Sequence, residues 1–151
     1  MVSAIILLAL ASMPASDMTP RAVELGGAIV AAEARREPFA EQIAVAAVIA
    51  NRAHDKRRWR RLSGEHDPYV GVMLGRRQFA APAAREAVTD THRLAFIIGA
   101  VFRPGWTRNA LMFATPDAVN RLSLKERWGA GGFMPIDGTG TEHVFFGEGG
   151  S

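Results

Sequence analysis

The sequence contains no cysteine among its 151 residues. A disulfide scaffold and thiol catalysis are therefore excluded, and the zinc-binding patterns built on cysteine pairs are absent. The four histidines show no tight metal-ligand spacing, which argues against a zinc amidase: they are His54, His66, His92 and His143. We expect neither a metal nor another cofactor. The lack of cysteine does not fix the compartment, because many exported proteins also lack this residue.

The sequence also has no long hydrophobic run. The apolar stretch between Ser3 and Ala11 is shorter than the ~20 residues that a bilayer requires, so no stable membrane span is expected. Small residues at positions 11–16 are typical of a signal-peptidase site, but no basic residue precedes the apolar stretch. Residues 1–16 are therefore predicted to be either a cleaved export signal or a short apolar helix that packs on the domain or anchors it weakly.

Composition and length indicate one folded domain, which we place at residues 17–151. Apolar residues make up 48% of the chain, too many for a disordered protein, and no internal repeat is evident. The formal net charge is +3, from 18 basic and 15 acidic side chains. This mild excess suits an anionic polymer such as peptidoglycan or a nucleic acid, but it is equally typical of a basic solvated surface.

Two adjacent apolar helices are the clearest pattern in the sequence. Thr19 and Pro20 form a good helix start, apolar residues follow at three- and four-residue spacing, and Pro38 ends the pattern. We predict one helix over Thr19–Arg36 and a second over Pro38–His54, whose aliphatic middle implies burial on most sides. A third helix is predicted over Pro82–Phe102.

The remaining segments predict smaller elements. Asp67 and Pro68 begin a short helix that runs to Leu74. Two extended segments, Ala110–Ala114 and Thr141–Phe146, flank a glycine-dense stretch. The expected fold class is therefore α+β, mostly helical, with a small C-terminal β element.

Glu33 is the carboxylate of greatest interest, because it lies in the last turn of the first helix, just before the proline break. A carboxylate there meets the negative end of the helix dipole, and partial burial disfavours its charge further. Both effects favour the protonated form that a general acid needs. The alternative is a solvated carboxylate, or one that pairs with Arg35 or Arg36.

The stretch AEAR-x-E-P-F-x-x-Q-I-A-V-A-A-V-I-x-N-R, between Ala31 and Arg52, resembles the signature of the SleB-type (spore cortex-lytic type) cell wall hydrolases. The resemblance implies a fold like that of the lysozyme-like lytic transglycosylases. It also implies that Glu33, the glutamate of the AEA motif, is the catalytic acid and base.

Three shorter segments resemble further elements of this family. Gln78-Phe79 match a Gln-Phe-Ser element, Phe113 and Pro116 match a Phe-Tyr-Asn-Pro element, and His143 and Phe145 keep their places in an Ile-Gly-x-His-x-Phe-Tyr element that aligns with residues 140–146. The family's serine, one asparagine and two tyrosines are replaced here, which puts sugar binding and catalytic strength in question. The resemblance implies substrate-binding roles for Gln78, Phe79, Thr115, His143 and Phe145, with Thr115 in the place of the asparagine.

The expected activity is cleavage of peptidoglycan glycan strands between N-acetylmuramic acid and N-acetylglucosamine by a lytic transglycosylase with a single glutamate. Glu37, Glu41 and Glu142 are possible second carboxylates, but nothing in the sequence assigns a nucleophile among them. The alternatives are a glycan hydrolase that uses water and a degenerate, non-catalytic peptidoglycan-binding domain. Peptidoglycan is the expected partner of a monomer, in the periplasm or at a cell wall reached by export, lysis or phage delivery.

A basic cluster supports a third alternative, a small nucleic-acid-binding protein. Five of the seven residues from Asp55 to Arg61 are basic, and Trp59 lies among them. A solvated loop between helices explains this cluster equally well, so no nucleic acid is expected. A groove at Glu33 would favour the enzyme, whereas an arginine bound to Glu33 would favour the non-catalytic domain.

Overall fold

A computed structural model describes residues 18–55, 58–136 and 142–149. Helix α1 (Pro20–Ala34) begins where the sequence predicts, with the Thr19 hydroxyl accepting a hydrogen bond from the Ala22 amide. It ends two residues earlier than predicted, at a break that leads into α2 (Phe39–His54). The N-terminal segment predicted to be a signal or an apolar helix lies outside the described residues.

Helix α2 is the centre of the core, and small residues let its neighbours approach closely. Its middle, from Ala44 to Ala50, has no exposed surface. Helix α4 (Asp90–Phe102) crosses it at Gly99, where a Cβ atom would lie 2.6 Å from the Cβ atom of Ala46. Gly26 of α1 packs directly on the Phe96 ring of α4. Helices α1, α2 and α4 therefore pack closely together in one buried layer, which supports the end of α1.

The third predicted helix begins later than expected. Thr89 and His92 form a capping box that begins α4 at Asp90, and only a 3₁₀ turn, Arg85–Ala87, precedes it. The segment before that turn is held instead by the Ala83 amide, which donates to the Ala28 carbonyl. Helix α3 (Pro68–Met73) is confirmed, with the Asp67 carboxylate capping it.

The C-terminal third is more regular than predicted. A three-stranded antiparallel sheet forms from β1 (Met112–Ala114), β2 (Phe133–Pro135) and β3 (Val144–Glu148), in the order β1-β3-β2. The sequence predicts two of these strands with shifted ends and misses β2. It also misses two short helices, α5 (Pro116–Arg121) and α6 (Leu124–Ala130). The α+β fold class, mostly helical with a small sheet, is confirmed.

Two polar residues at the end of α2 join the helical part to the sheet. The Asn51 amide donates to the carbonyls of Thr107 and Ala110, at 2.8 Å and 2.7 Å. Arg52 donates to the Leu111 carbonyl at 2.7 Å. Both side chains therefore attach the end of α2 to the segment that leads into β1. Within the described residues, no helix is long and apolar enough to cross a membrane.

Candidate active site

Glu33 lies in the last turn of α1, and its side chain is partly exposed. One carboxylate oxygen, Oε1, accepts a hydrogen bond of 2.6 Å from the backbone amide of Ala80. No other hydrogen bond and no ion pair joins Glu33 to a residue that the structure describes. One oxygen is thus fixed by the backbone, and Oε2 is left for another partner.

The loop that carries Ala80 is held in place by Arg52. This buried arginine donates to the Gln78 carbonyl at 3.0 Å, and its guanidinium lies 4.8 Å from the centre of the Phe79 ring. Burial lowers the pKa of Arg52 to about 10, and the nearby charge of Glu33 opposes this shift. Arg52 is still charged at neutral pH, so it both orders the Gln78–Ala80 loop and adds positive charge near Glu33.

A cluster of three side chains lies beyond the break, between the first turn of α2 and β3. The carboxylate of Glu41 is buried, and its Oε1 atom accepts from the amides of Glu142 and His143, at 2.7 Å and 3.1 Å. The Nδ1 atom of His143 lies 3.0 Å from Oε2 of Glu37, but outside hydrogen-bond geometry. Glu41 thereby attaches the start of β3 to the segment that follows Glu33.

Burial disfavours the charged forms of two members of this cluster, Glu37 and His143. Burial raises the pKa of Glu37 to about 7, and the charges of Glu41, Glu142 and Glu33 add to the shift. Burial also lowers the pKa of His143, although the same acidic neighbours oppose that change. Both shifts favour the uncharged forms, a protonated carboxyl on Glu37 and a neutral imidazole on His143, and so disfavour an ion pair between them.

The same three residues have the composition of a metal site. The nearest ligand atoms of Glu37, Glu41 and His143 all lie within 4.8 Å of one another, close enough to share one cation. Two carboxylates and one imidazole would suit a borderline divalent metal. Nothing in the proposed chemistry of Glu33 requires such an ion.

A cavity of about 640 Å³ lies near the end of α1, and we call it the arginine cavity. Glu33 itself does not line it, but Ala32, which precedes Glu33 in α1, and Ala80, whose amide donates to Glu33, both do. The alternative in which an arginine pairs with Glu33 is not what the structure shows, since neither Arg35 nor Arg36 does so. The lining residues are Ala31, Ala32, Arg35, Arg36, Ala80, Ala81, Ala83, Ala87, Thr89 and His92.

The other residues predicted to bind substrate have varied surroundings. Phe145 is fully buried in the core, so its side chain cannot touch a substrate in this structure. The Thr115 hydroxyl caps α5 by accepting from the Ala118 amide at 3.3 Å. His143 is buried, and its ring meets Phe113 edge-on at 5.2 Å between centres. Substrate-binding roles for these residues stay predictions, and the burial of Phe145 argues against its own.

The basic cluster has structural partners. Arg58 pairs with Asp55 and Glu148, and Arg61 donates to the carbonyls of Ala53 and Asp55 at the end of α2. The Arg52 guanidinium lies 4.2 Å from the centre of the Trp59 ring. These contacts occupy two of the three described arginines of the cluster, Arg58 and Arg61, and one face of Trp59, which disfavours that alternative for the described part of the cluster.

Sequence reasoning missed the residues that surround Glu33. Glu37 and Glu41 were noted as carboxylates, but their contacts with residues 142–143 come from the far end of the chain. The Ala80 amide has no side-chain signal at all, because a backbone donor looks the same at every position. Arg52 enters the sequence analysis only as the last residue of the family signature, and its bonds to Gln78 and Leu111 depend on segments distant in sequence.

Comparison with known proteins agrees with this geometry at the level of fold. No protein-family model matches the chain, and no curated protein matches it. Among solved structures, the catalytic domain of the Bacillus cereus SleB protein aligns with a TM-score of 0.59 and 24% identity. The alignment covers 88% of this chain and 94% of that one.

A second similar structure is the catalytic domain of the germination-specific lytic transglycosylase SleB from Bacillus anthracis. It aligns with a TM-score of 0.57 and 22% identity, over 88% of this chain and 98% of that domain. The chain therefore has the α+β fold of these SleB catalytic domains, and the resemblance seen between Ala31 and Arg52 is confirmed at the level of the fold.

Proposed function

We propose that the protein is a lytic transglycosylase that cleaves peptidoglycan glycan strands between N-acetylmuramic acid and N-acetylglucosamine. The observation that carries this proposal is the position of Glu33. It lies in the last turn of a buried helix, near a cavity that Ala32 and Ala80 line, with one oxygen bonded to the Ala80 amide. The SleB neighbours support the same activity through their fold.

The hydrogen bond from Ala80 decides which oxygen of Glu33 carries the acidic proton. Oε1 accepts from the backbone amide, so the proton lies on Oε2. In the first step, Oε2 gives this proton to the glycosidic oxygen as the bond to the muramic acid anomeric carbon breaks. The Glu33 carboxylate then takes the proton of the 6-hydroxyl of the same sugar, whose oxygen attacks that carbon. The product is a 1,6-anhydro sugar, and Glu33 is again protonated.

Two alternatives remain for the same site. A hydrolase would use Glu33 in the first step and a water molecule in the second, which needs a base for that water. Glu37 is the candidate for this base, because its carboxyl is close enough to Glu33 for the charge of Glu33 to raise its pKa. A non-catalytic binding domain would keep the cavity without turnover. Peptidoglycan lies outside the cytoplasmic membrane, so we place the action there, with delivery by export or by a phage still open.

Replacement of Glu33 by glutamine tests the catalytic role directly. Glu33→Gln keeps the acceptor oxygen for the Ala80 amide and removes the acidic proton. We expect the rate of peptidoglycan solubilisation to fall by roughly a hundredfold to ten-thousandfold, the usual contribution of a general acid. Release of soluble glycan from purified peptidoglycan measures this rate.

The matched control is Glu126→Gln, an exposed glutamate on α6. It should retain the wild-type rate. Equal rates for wild type and Glu33→Gln would remove Glu33 from the mechanism, and a wild-type protein that binds peptidoglycan but releases nothing would favour the binding domain.

A further inference from the structure

The arginine cavity has an unusual composition for a space near a carboxylate. Six of its ten lining residues are alanines, and none is acidic. Its volume, about 640 Å³, lies within the range of ligand pockets, roughly 300–1,000 Å³. The small alanine side chains leave room along its wall, while Arg35 and Arg36 supply its charge. The cavity therefore favours an extended, negatively charged ligand.

Both arginines are available for such a ligand. Their side chains are exposed, and neither guanidinium has a hydrogen bond or an ion pair with any residue in the described ranges. The buried arginines Arg52 and Arg93, by contrast, are both bonded. An unpaired guanidinium prefers a carboxylate, which it can bind through two parallel hydrogen bonds.

The backbone at Arg35 is held in a conformation that an arginine rarely adopts. Its φ angle is +34°, in the left-handed region, where glycine would cost less. His92 maintains this conformation: its Nδ1 atom accepts from the Thr89 amide at 3.0 Å, so the proton lies on Nε2. Nε2 then donates to the Arg35 carbonyl at 3.0 Å. Because glycine would be more favourable than arginine at this position, we infer that the Arg35 side chain has a function.

We propose that the arginine cavity binds the peptide stem of the muramic acid residue whose glycosidic bond Glu33 cleaves. This inference rests on the proposed function. The stem begins at the 3-oxygen of muramic acid, two ring carbons from the anomeric carbon that reacts at Glu33, and it carries carboxylates. Arg35 and Arg36 follow Glu33 by two and three residues at the end of α1, so a stem of several residues, each spanning up to about 3.5 Å, has the length to extend from this sugar toward them. The preferred substrate is then peptidoglycan that retains its stems.

Cleavage of two matched substrates tests this specificity. One is a purified glycan strand with its peptide stems, and the other is the same strand after an amidase has removed them. The proteins are the wild type, the double variant Arg35→Gln/Arg36→Gln and the control Arg121→Gln/Arg127→Gln, which removes two exposed charges from α5 and α6. Thermal unfolding of each variant checks that it folds.

We expect the wild type and the control to cleave the stem-bearing strand roughly tenfold faster than the stripped strand, the effect of one charge-assisted contact. In the Arg35→Gln/Arg36→Gln variant this ratio should fall toward one. Arg35→Lys/Arg36→Lys, which keeps the charge but not the paired geometry, should give a ratio between these values. The proposal would be overturned if the ratio of the two cleavage rates were the same in all the proteins. It would also be overturned if the Arg35→Gln/Arg36→Gln variant lost the same fraction of its rate on both substrates.

A binding measurement separates this inference from the proposed function. The probe is the soluble N-lactyl tetrapeptide released from peptidoglycan, titrated by calorimetry into Glu33→Gln protein with and without the two arginines. We expect the affinity to fall at least tenfold when both arginines are replaced. Binding of the peptide, together with no cleavage of peptidoglycan by the wild type, would uphold the stem site and sink the enzyme. Cleavage by the wild type without any binding of the peptide would support the enzyme and overturn the stem site.

Discussion

Glu33 shows what a single residue's sequence position can and cannot predict. The proline break and the apolar spacing predict its place in the last turn of α1, and the structure confirms that place. The Ala80 amide that fixes Oε1 lies 47 residues further along the chain. Its role depends on how the Gln78–Ala80 loop folds over α1, and no local pattern encodes that.

Glu37 provides a pH test at the same scale. Burial raises its pKa from 4.5 to about 7, so between these values the folded protein binds more protons than the unfolded chain. The free energy of unfolding should therefore fall as pH rises from 5 to 8. The side chain is 21% exposed, which reduces the expected loss to on the order of 2 kcal/mol.

Urea unfolding at pH 5 and pH 8, with a chelator present, measures this dependence in wild type and in Glu37→Gln. In Glu37→Gln the part of the fall in the free energy of unfolding that comes from Glu37 should disappear. In Glu126→Gln it should remain. An identical pH dependence in wild type and Glu37→Gln would show that Glu37 titrates at its ordinary pKa.

At the scale of elements, the helices with strong apolar spacing are predictable and the short elements are not. Helices α1 and α2 lie within two residues of their predicted ends. The predicted start of α4 is eight residues too early, because the capping box of Thr89 and His92 begins the helix. Strand β2 has only three residues beside a glycine-rich stretch, so its pairing with β3 depends on contacts distant in sequence.

Gly99 tests the close packing of α4 on α2. A Cβ atom at this position would lie 2.6 Å from the Ala46 Cβ atom and would also meet the Ile43 carbonyl. We expect Gly99→Ala to lower the free energy of unfolding by about 2–3 kcal/mol, even though alanine favours a helix by roughly 1 kcal/mol.

The control is Gly129→Ala on α6, where a Cβ atom would meet nothing within 4 Å. This variant should be as stable as the wild type or gain up to about 1 kcal/mol. Urea unfolding of both variants measures the difference. A neutral Gly99→Ala would mean that α4 and α2 are further apart than described.

At the scale of the whole molecule, the fold follows from the core helices, but the site needs both ends of the chain. The break after α1 places Glu33, the Gln78–Ala80 loop supplies its hydrogen bond, and Glu41 attaches the start of β3 to the same region. The resemblance between Ala31 and Arg52 anticipated this fold. It did not anticipate the arginine cavity, which combines α1, the loop after Phe79 and the start of α4.

The most direct test of the central claim is the chemical nature of the new glycan ends. Mass spectrometry of purified peptidoglycan digested with wild-type protein and with Glu33→Gln identifies these ends. If Glu33 acts alone as acid and base, the wild type yields 1,6-anhydro ends, lighter by one water than reducing ends, and Glu33→Gln yields neither. Reducing ends from the wild type would contradict the transglycosylase and show that water is the nucleophile.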